Sequence, residues 1–492
     1  MSERMRSARG WAGLAAGPLV AGLLLLMGPP ESLIDQSATA REAWTVLALL
    51  ALMASWWVSE AIPIPATSLA PILLLPLFGV LSVREAAAPY MHPIVVLLMG
   101  GFIIAKAIQR WNLHARIALN IVVRAGDHPA MLIAGFMAAA ALLSMWISNT
   151  ATSIMLTPIA LSVAAATLGG EGTDAPLTKA LLLGVAWSCS IGGLGTLVGT
   201  PTNLIVVGYL NDNAGFEIDF LQWMTLGLPT VCVLVPTAWL VLTKWAFRIT
   251  PHAGGAGREA VRARLLELGP MTTPEKRTVA MFAVIAGLWI FRRPLTGVEV
   301  FGVAPLGGLT DHMVAILGVF LAFLIPAGDE NRSPGLLDWR TAETIPWGVV
   351  LLFGGGMSLA GAITATGLGT WIGGELSGLA GLPLIVLILT LTAFVIFTTE
   401  VTSNIATAAA LMPVLGAVAL ATGLPVELLA APLAMAASCA FMLPMATGPN
   451  AVVYASGAVS LPTMAAAGFR LNLVAIVLIT GIVYVLAPVA FG

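Results

Sequence analysis

The sequence predicts an all-α integral membrane protein of about eleven transmembrane helices, arranged as two inverted-topology repeats, each with a re-entrant hairpin and a broken helix. Three observations predict it. Hydrophobic residues make up 59% of the 492-residue chain and charged residues only 9%, with a mean hydropathy of +0.97, a composition foreign to soluble globular domains. The polar triplet Ser148-Asn149-Thr150 interrupts an apolar run, and Ser403-Asn404-Ile405 repeats it 255 residues later, with Pro158 and Pro413 following at the same distance. A second pair of breaks, rich in glycine and proline, follows each triplet at 192–203 and 446–450.

Taken along the chain, apolar runs place spans near 11–28, 43–58, 64–81, 93–109, 179–210, 223–246, 278–292, 312–326, 345–366, 428–456 and 468–490. Arg4, Arg6 and Arg9 precede the first run; without a small-residue cleavage site it reads as an uncleaved first helix. Trp56, Trp57, Trp223, Trp245 and Trp347 fall near span ends, where indoles anchor at the interface. Gly100-Gly101 and Gly355-Gly356 share the 255-residue offset and suit close helix packing. Residues 109–124 set Arg110, His114, Arg116 and Arg124 around Leu113, Ile117, Leu119 and Ile121, the pattern of an interfacial amphipathic helix. The apolar regions 130–166 and 383–420 are the two split by the triplets and are expected to be hairpins. Cys189, Cys232 and Cys439 lie in apolar segments and suggest no disulfide framework.

Lys and Arg set the expected orientation, since cytoplasmic loops hold the excess of these residues. With the N-terminus inside and both split regions returning to their own side, only Arg41, Arg84, Arg292 and Arg293 of the 22 basic residues fall outside. The C-terminus is then external. The first hairpin dips in from inside and the second from outside, the geometry of inverted repeats whose site forms at the midplane.

Unwound helix at membrane depth frees carbonyls and amides that must line a cavity or meet a ligand. Four such breaks share one problem, and one common site solves it. Ser, Asn and Thr oxygens with freed carbonyls make a neutral cage for a hard monovalent cation, while the helix N-termini following Asn149 and Asn404 point partial positive charge at an anion. Duplicated breaks of this kind are the mark of a secondary transporter. Few ionisable groups are available inside, namely Glu400, Lys106 and Glu60, which favours sodium over a proton relay while Glu400 leaves proton coupling open. An enzyme would need a zinc spacing, paired intramembrane Asp or a Ser with a nearby His; His92, His114, His128, His252 and His312 lie in loops or at span ends and fit no metal spacing. The glycine loop at 192–199 lacks the Lys of a phosphate loop, no basic patch marks a nucleic-acid partner, and a channel would want a continuous polar path.

These residues resemble the divalent anion:sodium symporter family, of the bacterial sodium/dicarboxylate cotransporter type. The resemblance implies sodium ions as coupling ions, with no organic cofactor. One sodium would sit at Ser148, Asn149 and the loop around Gly199, the other at Ser403, Asn404 and the loop around Ala446. The small anion would be held by Asn149, Thr150, Thr200, Asn404 and Thr447. The resemblance further implies a homodimer in the inner (plasma) membrane and an elevator mechanism. Scaffold spans would lie in 1–128 and 278–382, transport units in 129–247 and 383–492, and a cytoplasmic connector in 248–277. A C4-dicarboxylate such as succinate, malate or fumarate is the favoured substrate, with sulfate, citrate or sodium-independent exchange as alternatives. Ile405 departs from the family's second Thr, and the loops read Thr-Pro-Thr-Asn and Thr-Gly-Pro-Asn in place of a double proline; both bear on substrate choice.

Overall fold

A computed structural model describes residues 3–169, 175–249, 256–299, 301, 303–329, 333–375 and 382–491. His252 and part of the connector lie outside them. The described residues are mostly helical, and they include a short antiparallel ladder, a departure from the all-α expectation, pairing Pro326–Asp329 with Ser333–Gly335. Among the described residues, seven stretches are long and apolar enough to cross a membrane: Ala40–Ser59, Val83–Arg110, Asn149–Thr167, Pro176–Gly195, Phe220–Ala246, Trp347–Ala365 and Leu461–Phe491. Shorter apolar helices, including Ile64–Leu77 and Asp311–Leu324, accompany them.

Ten helices surround the four breaks. The first five are α1 (Pro129–Ser144), α2 (Asn149–Thr167), α3 (Pro176–Gly192), α4 (Pro201–Asn213) and α5 (Phe220–Leu240). The second five are α6 (Leu384–Thr399), α7 (Asn404–Thr422), α8 (Glu427–Ala437), α9 (Gly448–Ala455) and α10 (Leu461–Phe491). Both split regions are helical hairpins, and every bound of α6 and α7 is that of α1 and α2 displaced by 255 residues. The reason is local. Each second arm begins at the Asn of its triplet, after a Ser whose extended ψ cannot continue the preceding helix. Prolines then open α3 and α4, where their missing N–H costs nothing.

Helix packing follows from small residues. An ideal Cβ on Gly100 would lie 2.7 Å from Ala315 Cβ, and one on Gly355 would lie 2.3 Å from Ser68 O, so the glycine pairs serve close approach. The expected span at 64–81 is divided into Ile64–Thr67 and Ala70–Leu77. Two of the expected interfacial tryptophans are instead buried. Trp57 and Trp223 are 0% exposed, and each indole N–H is used internally: Trp57 donates to Ser68 Oγ at 3.2 Å and Trp223 to Leu194 O at 2.9 Å. An indole supplies one donor on a large apolar body, and a buried polar acceptor, a hydroxyl for Trp57 and an unwound carbonyl for Trp223, takes it in the protein interior.

Ionic contacts gather at the two ends of Pro93–Arg110, an 18-residue helix about 27 Å long. At its N-terminal end, His92, Asp219, Arg292, Asp311 and His312 line a cavity of about 370 Å³. There Arg292 bridges Asp219 at 2.9 Å and Asp311 at 2.7 Å, and Arg293 also meets Asp219. At the other end Arg110 pairs with Asp338, and Arg116 with Glu275 at 2.8 Å.

The long helix α10 rests directly on an unwound segment, because a Cβ on Gly468 would stand 2.2 Å from Phe441 O, whereas one on Gly481 would meet nothing within 4 Å. Gly468→Ala is therefore expected to destabilise the protein by about 1–3 kcal/mol, while Gly481→Ala leaves it unchanged or gains up to about 1 kcal/mol. Thermal unfolding of the detergent-solubilised variants checks the difference in sign.

Candidate binding site at the four helix breaks

Each hairpin tip is built in the same way. Asn149 Oδ1 accepts a hydrogen bond from Ser144 Oγ at 2.5 Å, and Asn404 Oδ1 accepts one from Thr399 Oγ1 at 2.8 Å. In both, a hydroxyl five residues upstream, on the last residue of the first arm, fixes the amide. Ser148 and Ser403 occupy the N-cap positions of α2 and α7, yet neither side chain caps its helix. Their hydroxyls are left for another partner, and the first-turn amides of both helices stay available to an anion.

The two unwound loops are also built alike. In the first, Asn203 Nδ2 donates to Gly193 O at 3.0 Å and Thr196 O at 2.8 Å. In the second, Asn450 Nδ2 donates to Ala440 O and Leu443 O, both at 3.1 Å. All three residues of the second loop are those of the first displaced by 247. The same displacement carries Leu194 onto Phe441, and each of these carbonyls takes an indole N–H, Leu194 O from Trp223 at 2.9 Å and Phe441 O from Trp187 at 3.2 Å. Gly227 and Gly468 press against the same two carbonyls. Thus three carbonyls in each loop, those of residues 193, 194 and 196 and of 440, 441 and 443, are paired by matching side chains. The Oδ1 atoms of Asn203 and Asn450 are buried with no hydrogen-bond partner, a matched pair of unused acceptors.

Contacts join the breaks to one another. A Cβ on Gly193 would lie 2.9 Å from Asn149 Oδ1 and 3.2 Å from Gly199 O, so the first tip and the first loop touch, and Asn149 stands beside Gly199. A Cβ on Gly448 would lie 2.0 Å from Thr150 Oγ1, which sets Thr150 against the start of α9, next to Thr447. Ser153 Oγ donates to Pro449 O at 3.4 Å, and Thr202 and Ser438 share a 2.8 Å hydroxyl contact between α4 and the second loop. Within the second half Thr399 Oγ1 also donates to Ala437 O at 3.0 Å, and Glu400 ties the tip to the loop, its carboxylate accepting N–H bonds from Phe441 at 2.7 Å and Leu443 at 3.0 Å. Thr200 and Thr447 are 4% and 8% exposed and Ala446 is 5% exposed, while Asn149, Thr150, Asn404 and Ile405 are half-buried.

The chemistry of this region is that of neutral oxygen: hydroxyls, amide oxygens and carbonyls, with Glu400 as the ionisable group. Lys106 lies inside helix Pro93–Arg110 and Glu60 at the left-handed end of Ala40–Ser59. No group of three or more His, Cys, Asp or Glu among the described residues could hold a metal ion. Hard, weakly polarisable cations take such oxygen donors. Sequence reasoning missed Ser144 and Thr399, although both carry a hydroxyl at the 255-residue offset. It also passed over Trp187, Asn203, Asn450 and Asn472 as binding or supporting residues; only the Asn pair had a signal, its 247-residue repeat.

Residues 11–489 match the family model of the sodium:sulfate symporter transmembrane region. The chain is 40% identical over 486 residues to the sodium-dependent dicarboxylate transporter SdcS of Staphylococcus saprophyticus, covering 98% of this chain and 92% of that protein, and equally to SdcS of Staphylococcus aureus strain USA300. Among solved structures, the Alcanivorax borkumensis YdaH transporter superposes with a TM-score of 0.59 at 14% identity, covering 91% of this chain and 98% of that one. Neisseria gonorrhoeae MtrF gives 0.56 at 15% identity, covering 82% of each chain. Those two establish likeness of fold. With a match running along nearly its whole length and 40% identity to curated relatives, the chain belongs to the sodium:sulfate symporter family of membrane transporters, and is not an enzyme.

Proposed function

We propose that the protein is a secondary active transporter that couples sodium to the symport of a C4-dicarboxylate such as succinate, malate or fumarate. The observation that carries this reading is the meeting of two identically built tips and two identically built loops, rich in neutral oxygen, with helix N-termini left open. Sodium would be held at one position by Ser148, Asn149 and the Gly199 carbonyl, and at the other by Ser403, Asn404 and the Ala446 carbonyl. The bound cations and the first-turn amides of α2 and α7 would together offset the charge of an anion lying against Asn149, Thr150, Thr200, Asn404 and Thr447. The named activity of the SdcS relatives supports both the coupling ion and the substrate class.

The remaining parts of the reading concern movement and sidedness. The two sets α1–α5 and α6–α10 form inverted repeats among eleven spans, within a homodimer whose scaffold stays fixed while the site moves as an elevator. Clustering of Arg292 and Arg293 at one end of Pro93–Arg110, and of Arg110 and Arg116 at the other, supports a cytoplasmic N-terminus and an external C-terminus in the plasma membrane.

Reconstituted into liposomes, the protein is expected to accumulate labelled succinate under an inward sodium gradient; uptake that ignores sodium and follows a proton gradient, or exchange needing no gradient, contradicts the coupling. Asn149→Ala and Asn404→Ala should each reduce uptake to background with the protein still monodisperse, and near-normal uptake in either removes that residue from the site. Because Ile405 presents a methyl group where a hydroxyl could hydrogen-bond, Ile405→Thr should shift the relative affinities for succinate, citrate and sulfate by about 1 kcal/mol, or about fivefold, without changing sodium dependence. A competition panel with an unchanged ranking would refute this.

A further inference from the structure

Glu400 sits between α6 and α7, three residues before Ser403, and is 3% exposed. Its Oε1 accepts from Phe441 N at 2.7 Å, Met442 N at 2.9 Å and Asn472 Nδ2 at 2.8 Å. Its Oε2 accepts from Met442 N at 3.1 Å and Leu443 N at 3.0 Å. Three consecutive amides freed by the unwinding after α8 thus converge on one carboxylate, an anion nest whose anion is part of the chain. No Lys, Arg or His among the described residues forms an ion pair with it. The displacements that relate the two halves put Met145 at the place of Glu400, and Leu194, Gly195 and Thr196 at the places of Phe441, Met442 and Leu443. There the contact recurs without the charge. The Met145 side chain packs on Gly195, where a Cβ would lie 3.0 Å from Met145 Cγ, and the only hydrogen bond joining that tip to its loop through Met145 runs from Thr196 Oγ1 to the Met145 carbonyl.

We propose that Glu400 is a positioning residue that makes the two cation positions unequal. By fixing residues 441–443 against the second tip, it holds Ser403, Asn404 and the Ala446 carbonyl in place before any ion arrives, and its charge lowers the potential there. The first position, with a thioether in the same place, orders only as sodium binds. The second position therefore fills first and more tightly. This inference rests on the sodium-coupled reading above.

Two measurements test it. In purified protein without substrate, sodium titrations followed by calorimetry and by thermal shift should show affinity weakened at least tenfold in Glu400→Gln and largely restored in Glu400→Asp. The succinate KM at saturating sodium should change less than twofold. In the unmodified protein, hydrogen exchange should show sodium protecting residues 193–200 strongly and 438–447 little, which decides the matter even if the Gln variant does not fold. Equal protection of both loops, or unchanged sodium affinity with a lost pH dependence of uptake in Glu400→Gln, overturns the role of Glu400 alone. An unmodified protein that binds no sodium in either assay overturns the coupling itself.

Discussion

Backbone that is not helical, deep within an apolar protein, must find hydrogen-bond partners inside the chain or in a ligand, and this requirement organises everything around the four breaks. Asn203 and Asn450 each span their own loop and tie two carbonyls with one amide. Trp223 and Trp187 cover the next carbonyl in each. Glu400 gathers three N–H groups at once. Beyond these pairings, the atoms left open include the Ser hydroxyls at the two caps, the first amides of α2 and α7, the Gly199 and Ala446 carbonyls and the orphaned Oδ1 atoms of the loop asparagines. A site is defined here by subtraction, as the polar groups the fold declines to satisfy.

The same requirement explains why so much of the architecture was legible in one sequence. A Ser-Asn step in an apolar run is costly enough to be conspicuous, and its repetition at fixed spacing gave both hairpins; the structure returns their bounds with no drift over 255 residues. Family membership followed from those residues and from their resemblance to known symporters. The supporting shell was much less legible. Ser144 and Thr399 are small hydroxyl residues at the ends of apolar helices, indistinguishable in sequence from Thr and Ser that bond back to their own helix, as Thr392 does. Hydropathy places Trp57 and Trp223 near span ends and so at the interface; whether an indole faces lipid or a buried acceptor depends on tertiary packing, which no local pattern records. The break at Ser68 was hidden for a similar reason, since Pro65 and Pro71 begin helices as readily as they interrupt them.

The two halves are alike in their acceptors and unlike in what answers them. At corresponding places stand Met145 and Glu400, Thr150 and Ile405, Thr196 and Leu443. Each exchange leaves the backbone path intact while changing the charge or hydrogen bonding beside it. A duplicated framework thus provides two equivalent positions, and a handful of side chains makes them distinct.

One asymmetry reaches back to the making of the molecule. Trp223 and Trp187 both come from the first half, yet one covers Leu194 in that half and the other covers Phe441 in the second. The N-terminal half therefore leaves the ribosome already holding the donor for its own loop and, in addition, the donor that its later counterpart lacks. The Phe441 carbonyl is thus met only where the first half packs against the second, whereas the first loop draws both its Asn and its Trp donors from its own half.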